Sequence, residues 1–381
     1  MYVVLIYLLI IFGYTTLAFF NKKRNKKIEI IIMIVLFSFF AFRFGMGSDT
    51  RTYVQNYEEL TKNLFFSFVS DIKFPLFNLL QSLFKNIGFS FPQFLLTIQI
   101  FSLILIGYVI YHESADVLLS LSIVIGAGFA ESYMTSMIRQ MLCMAIFFFA
   151  FYKYLKNEEY LKYYITIIPL CFFHWVCYIL LFIPIMYYYR KFFLTFKAVV
   201  LLFIFSIIGL VTITFGIDWI LKFLPEYMSV QFSSKVVSFK LSGFLLRVVL
   251  LSLVSLLYYF SDKRKINDFD RFQVLLCYGA FLTYICFINY PVISRACDFI
   301  EIIHIIILPK LIVSLAKKNF KILFVSTMFL INFILLLADV KFNLEYWYYN
   351  KSIVNYPYVS LLNPNDAVNY YRFNKIPAFL E

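Results

Sequence analysis

Residues 91–111 read FPQFLLTIQIFSLILIGYVIY, a run of 21 residues that contains no charged side chain. An α-helix needs about 20 predominantly apolar residues to cross the hydrocarbon core of a bilayer. Backbone groups inside that core must be satisfied within the segment, which a helix achieves and an open strand does not. This stretch therefore predicts a transmembrane helix.

The rest of the chain has the same character. Of its 381 residues, 62% are hydrophobic and 14% are charged, and the mean hydropathy is +0.83. A soluble domain carries about a quarter charged residues, because a globular surface needs polar cover. The composition therefore excludes a soluble globular fold and predicts an all-α, polytopic transmembrane helix bundle.

About twelve spans are predicted, in one membrane domain (residues 1–338) that includes an outer loop at 45–90 and is followed by a polar tail at 339–381. The approximate limits of the spans are 2–20, 28–44, 91–111, 117–132, 134–155, 160–174, 176–189, 198–217, 243–260, 272–290, 297–316 and 320–338. Very short connections near Tyr133 and Trp175 predict helical hairpins at those points.

The basic residues give an orientation. With the N-terminus outside, the inner loops hold 18 of the 34 Lys and Arg residues, as the positive-inside rule requires. The first 20 residues are apolar and are followed, not preceded, by basic residues, which is the opposite of a cleaved secretory signal. An even number of spans then places both termini outside the cytoplasm.

Three classes of partner or cofactor are not indicated. The net charge of +13 comes from short basic clusters between apolar runs, so we expect no nucleic-acid partner. The six cysteines form no CxxC pair, which argues against a disulfide framework or a zinc site. The sequence has no nucleotide-binding loop, metal-ligand motif or Gly-x-Ser-x-Gly elbow, so we expect neither a metal nor another cofactor.

On this topology five arginines lie at the outer ends of spans or just beyond, where the positive-inside rule predicts few. An anionic ligand would explain them, since a guanidinium binds phosphate bidentately and stays charged. Several converging arginines suit a diphosphate. The alternative is snorkelling to lipid headgroups, or pairing with Asp49, Glu131, Asp298 or Glu301. The five are Arg43, Arg51, Arg139, Arg247 and Arg295.

Other polar residues lie at the same level. Asp49 follows two glycines, Gly45 and Gly47, that would allow close approach of a ligand. His174 is placed at a hairpin tip, as a general base, a diphosphate ligand or an interfacial anchor. A row at three-residue spacing predicts one helix face that is a catalytic row, a proton relay or a self-neutralising cluster; it comprises Arg295, Asp298, Glu301 and His304.

The outer loop contains an apolar segment, Leu64–Ile87, in which aromatic residues alternate with polar ones. Such a segment either lies in the outer membrane interface or packs as an ordinary loop helix.

Residues 43–49 (RFGMGSD) with Tyr53 resemble the Arg-x-Gly-x-Gly-x-Asp…Tyr signature of EpsG-like membrane proteins, which are related to Wzy-type polysaccharide repeat-unit polymerases. Further similar stretches are SMIRQ at 136–140, FFH at 172–174, SR at 294–295 through Phe299, and YPY at 356–358. The resemblance spans most of the chain.

The resemblance implies a bacterial cell-membrane glycosyltransferase with a GT-C-like architecture. It would polymerise oligosaccharide repeat units carried on undecaprenyl diphosphate at the outer face, yielding O-antigen, capsule or exopolysaccharide, without a nucleotide sugar or metal. Chain-length regulator and flippase proteins are the expected protein partners. The rival interpretations are a lipid-linked glycan ligase or acyltransferase, and a flippase or secondary transporter.

The resemblance and the residues point to the same side chains. Arg43, Arg139 and Arg295 are the predicted diphosphate contacts, and Asp49 and His174 are the two candidates for the base. The other predicted substrate-binding residues are Arg51, Tyr53, Gln140, Arg247, Asp298 and Glu301.

Overall fold

A computed structural model describes residues 25–42, 50–70, 74–126, 137–195, 241–286 and 291–315, short pieces between 322 and 334, and the single residues 13 and 204. The predicted spans at 2–20, 198–217 and most of 320–338, and the tail at 339–381, lie outside the described residues.

The described residues are organised almost entirely as helices, which confirms the all-α prediction. The α-helices are α1 Lys26–Ala41, α2 Thr50–Glu59, α3 Leu64–Ser70, α4 Pro75–Asn86, α5 Phe91–Glu113, α6 Val117–Gly126, α7 Ile138–Ala150, α8 Tyr160–Phe173, α9 Ile183–Tyr188, α10 Arg190–Phe193, α11 Leu241–Phe260, α12 Asp268–Cys286, α13 Pro291–Glu301 and α14 His304–Val313. A π-helical turn, Phe151–Leu155, extends α7, and a 3-10 helix, Trp175–Phe182, precedes α9.

Within the described part of the chain, two helices are long and apolar enough to cross a membrane by length and composition: Phe91–Glu113 and Ile138–Leu155. Shorter apolar helices include Tyr160–Phe173 and Trp175–Tyr188. The twelve-span topology and the GT-C-like architecture remain predictions.

Helices α5 and α7 pack together and run in the same direction. At one end of the pair, Phe91 and Phe94 share an apolar cluster with Ile138. At the other end, Lys156 forms an ion pair with Glu113 across 2.6 Å. On the predicted orientation the first end is the outer one.

The hairpin predicted near Trp175 is present, but its second arm is not the continuous α-helix predicted at 176–189. The hydroxyl of Tyr163 on α8 donates to the carbonyl oxygen of Leu180 across 3.0 Å. In an α-helix that carbonyl would accept from the residue at 184, which is Pro184 and has no N–H. In the 3-10 helix that carbonyl accepts instead from the backbone N–H of Ile183, and the tyrosine hydroxyl is a second donor to it.

The span predicted at 297–316 is not one continuous helix: it begins earlier, at Pro291, and consists of two helices, α13 and α14, separated at residues 302–303. Pro309 within α14 leaves the carbonyl of Ile305 without its helical donor. The buried Ser120 hydroxyl of α6 donates to that carbonyl across 2.6 Å.

The outer segment divides between the two predicted alternatives. Phe65 and Phe66 of α3 are 71% and 63% exposed, which fits an interfacial helix. Helix α4 instead buries Phe77 and packs on α8, as an ordinary loop helix does. Helix α4 thereby brings the outer loop onto the outer end of the bundle.

Candidate active site

Arg139 lies in the first turn of α7, and aromatic side chains from the outer loop hold its guanidinium. The plane of Phe74 is closest, with 3.6 Å between the guanidinium carbon and the ring centroid. The Arg139 Nε donates to the Tyr53 hydroxyl across 3.3 Å, and Phe77 lies on the same side. Cations over aromatic faces are stabilised by the ring quadrupole, so this cage orients the arginine without neutralising it.

The outer loop is itself fixed, which keeps Tyr53 and Phe74 in place. The Lys85 ammonium on α4 donates to the carbonyl oxygens of Tyr57, Glu58 and Leu60, at 2.9, 2.6 and 2.7 Å. These carbonyls lie at the C-terminal end of α2, where a helix has unsatisfied acceptors and favours a cation.

His174 lies at the hairpin turn between α8 and the 3-10 helix and is 6% exposed. Its ring lies between Phe74 and Phe299, with centroids 5.9 and 6.3 Å away. Phe74 also contacts the Arg139 guanidinium, and Phe299 lies about one turn after Arg295 on α13, so the three residues share one region. The structure thus brings together three of the five predicted catalytic residues.

Gln140, next to Arg139, links α7 to α13. Its side-chain nitrogen donates to Asp298 Oδ2 across 3.2 Å and lies 3.5 Å from the carbonyl oxygen of Arg295. The side chain is 2% exposed, and its Oε1 has no hydrogen-bond partner within the described part of the chain. An orphaned buried acceptor here is available to a hydroxyl or another donor of a ligand.

Arg247 has a different environment from Arg139. Its guanidinium forms ion pairs with Glu301 at 3.0 Å and Asp298 at 3.7 Å, and it stacks on Tyr284 at 3.8 Å. Of the two interpretations of the arginines, the structure shows for Arg247 pairing with acidic neighbours and not a free cation, so its charge is largely balanced.

The row from Arg295 to His304 is interrupted, because α13 ends at Glu301 and His304 begins α14. Asp298 and Glu301 nevertheless both face Arg247, so this part of the row is a self-neutralising cluster. The Nδ1 of His304 lies 2.9 Å from the carbonyl oxygen of Glu301.

Three predicted site residues cannot be placed. Arg43 and Asp49 lie outside the described residues, and Arg51 lies in α2 with its side chain outside the description. In the ranges described, no group of three or more His, Cys, Asp or Glu side chains could hold a metal ion.

The sequence analysis missed Phe74, Phe299, Tyr284 and Lys85, which position the predicted residues. Phe74 directly precedes Pro75 and thus marks a helix start, but one apolar side chain among 49 Phe residues carries no signal of a cation contact.

Chemically, the site offers two cationic side chains, an imidazole and an unpartnered amide oxygen at one end of an apolar bundle. Such a set suits an anionic ligand that also carries hydroxyl groups.

A comparison with protein families finds a match to the EpsG family model over residues 26–358. A search of curated proteins found no significant match, and a search of solved structures found none either. The family match covers most of the chain and confirms the resemblance, so the chain belongs to the EpsG family of membrane polysaccharide polymerases.

Proposed function

We propose that this protein polymerises oligosaccharide repeat units carried on undecaprenyl diphosphate at the outer face of the bacterial cell membrane. The observation that carries the proposal is a contrast among the arginines. Six have described side chains, and four of these have an acidic partner: Arg190, Arg247, Arg264 and Arg271. Arg139 and Arg295 have no ion pair within the described part of the chain.

A half-buried cation that has no acidic partner among the described residues is, in a membrane protein, a candidate for function. Two such cations near one buried imidazole provide the charge that a diphosphate needs. Arg247 has a structural role beside this site, because Glu301 and Asp298 already pair with its charge.

In the proposed reaction, a hydroxyl of the acceptor unit attacks the anomeric carbon of the growing chain. The bond from that carbon to the diphosphate oxygen breaks, and its electron pair leaves with the lipid diphosphate. Arg139 and Arg295 stabilise the charge that develops on the leaving group, which is where preorganised cations accelerate group transfer most. The acceptor proton passes to a base, for which the sequence offers Asp49 and His174.

The test is to replace Arg139 and Arg295 individually by Ala in cells that lack the native protein. We expect both variants to insert normally and to make no polymer. Single repeat units should accumulate on the carrier lipid at the outer face of the membrane. Arg264→Ala is the matched control, because that side chain is 91% exposed and paired with Asp262. Normal-length polymer from both variants would refute the proposal, while repeat units retained on the inner side would indicate a flippase.

A further inference from the structure

The hydrogen bond between His174 and Val176 determines which ring nitrogen of the histidine carries the proton. The backbone N–H of Val176 donates to His174 Nδ1 across 3.3 Å, so that the imidazole caps the 3-10 helix. A backbone N–H can only donate, so Nδ1 must present its lone pair. In the neutral ring the proton then resides on Nε2, which makes Nε2 a donor and not an acceptor.

The surroundings hold the ring in this state. Arg139 and Arg295 bring two positive charges to the region of the imidazole. Phe74 and Phe299 flank the ring and fix its orientation. No hydrogen bond from Nε2 to any described residue is present, so its N–H remains available to a ligand beside the two arginines.

We infer that His174 donates its Nε2–H to a diphosphate oxygen of the lipid carrier and is not the general base. This inference rests on the proposed function. The bond from the anomeric carbon to the diphosphate oxygen breaks, and the electron pair stays on the lipid diphosphate. Arg139, Arg295 and His174 bind this leaving group. The new bond forms from the acceptor oxygen, whose proton passes to a base other than His174. His174 gives up no proton and takes none.

Two amide variants test the roles of the two ring nitrogens individually. His174→Asn keeps an acceptor near the Nδ1 position and so preserves the cap, since Asn caps helices well, but it lacks a donor at Nε2. His174→Gln reaches the Nε2 position with an N–H and loses the cap. His112→Gln is the control, because His112 is an exposed histidine at the opposite end of α5.

We expect His174→Asn to fold with the wild-type thermal midpoint and to lose polymer formation by about 100-fold, the usual effect of removing one donor to a developing oxyanion. His174→Gln should keep activity within about tenfold of wild type, because its side-chain N–H replaces the Nε2 donor. Undecaprenyl diphosphate should bind the purified Gln variant more tightly than the Asn variant. Activity of the wild type should show no step from imidazole titration between about pH 5 and 8.

Three results would overturn the inference. Full activity of His174→Asn would mean that the histidine only caps the helix. An inactive but folded His174→Gln, with wild-type activity that rises as the imidazole loses its proton, would make it the base. Equal binding of undecaprenyl diphosphate to both variants would show that the Nε2–H does not contact the diphosphate. These results concern His174 alone. The proposed function is tested separately, by polymer formation in the Arg139→Ala and Arg295→Ala variants.

Discussion

The side-chain amide of Gln140 on α7 donates a hydrogen bond to the carboxylate of Asp298 on α13 across 3.2 Å. Arg139 precedes Gln140, and Arg295 lies one turn before Asp298. The bond therefore sets the relative position of the two arginines that have no acidic partner among the described residues. Asp298 also forms an ion pair with Arg247, so the same carboxylate contacts both Gln140 and Arg247.

Replacing Gln140 by Glu keeps the shape of the side chain but places a carboxylate against Asp298. We expect a loss of stability of about 1–3 kcal/mol, the cost of a buried polar group that loses its partner, and a corresponding loss of polymer. The double variant Gln140→Glu with Asp298→Asn recreates the bond with its roles reversed and should recover folding. Thermal unfolding in detergent measures both, and a wild-type midpoint for Gln140→Glu alone would contradict the assignment.

Replacing Arg139 by Lys tests whether charge alone is sufficient. Lysine keeps the charge but has no planar fork to lie on Phe74 or to bind a diphosphate bidentately. We expect polymer formation to fall by about tenfold or more, as for the loss of 1.4 kcal/mol or more of transition-state stabilisation, without a change in membrane insertion. Arg264→Lys, in the short exposed 3-10 turn Lys263–Lys265, is the control. Equal polymer from wild type and Arg139→Lys would show that Arg139 acts as a point charge.

Much of the fold was predictable, because apolar run length and hairpin connections are local properties of the sequence. The arginines of the site were selected from their position at the ends of apolar runs, and their role stays a prediction. Which of them are balanced was not predictable, since the partner of Arg247 at Glu301 is 54 residues away. Two hydroxyl contacts between helices were not predictable for a similar reason: Tyr163 donates to the Leu180 carbonyl in the 3-10 arm, and Ser120 donates to the Ile305 carbonyl in α14.

The Tyr163 contact in the 3-10 arm has its own test. Tyr163→Phe removes the hydroxyl donor to the Leu180 carbonyl, which keeps its bond from the Ile183 N–H, and should destabilise the protein by about 0.5–1.5 kcal/mol, the net contribution of one hydrogen bond. Adding Pro184→Ala restores a backbone N–H that can donate to the same carbonyl, so the double variant should regain most of the loss. Thermal unfolding of the wild type and the three variants decides the matter. Additive losses in the double variant would show that the proline and the tyrosine are not linked.

Lys85 provides a last prediction, which connects the outer loop to the site. Its three hydrogen bonds hold the C-terminal end of α2, and α2 carries the Tyr53 hydroxyl that contacts Arg139. Replacing Lys85 by Met keeps the aliphatic stem and removes the donors, so opening of α2 should become easier by about 1.5–3 kcal/mol, the worth of a hydrogen bond to a charged group.

Protease added outside the cells should then cleave the segment 50–70 faster, and polymer formation should decrease because Arg139 loses its tyrosine contact. Lys62→Met is the matched control, an exposed lysine of the same outer segment with no side-chain hydrogen bond to the described residues. If Lys85→Met and Lys62→Met are cleaved at the same rate, Lys85 does not hold α2. If cleavage rises while polymer is unchanged, the Tyr53 contact is dispensable and the Phe74 ring alone orients Arg139.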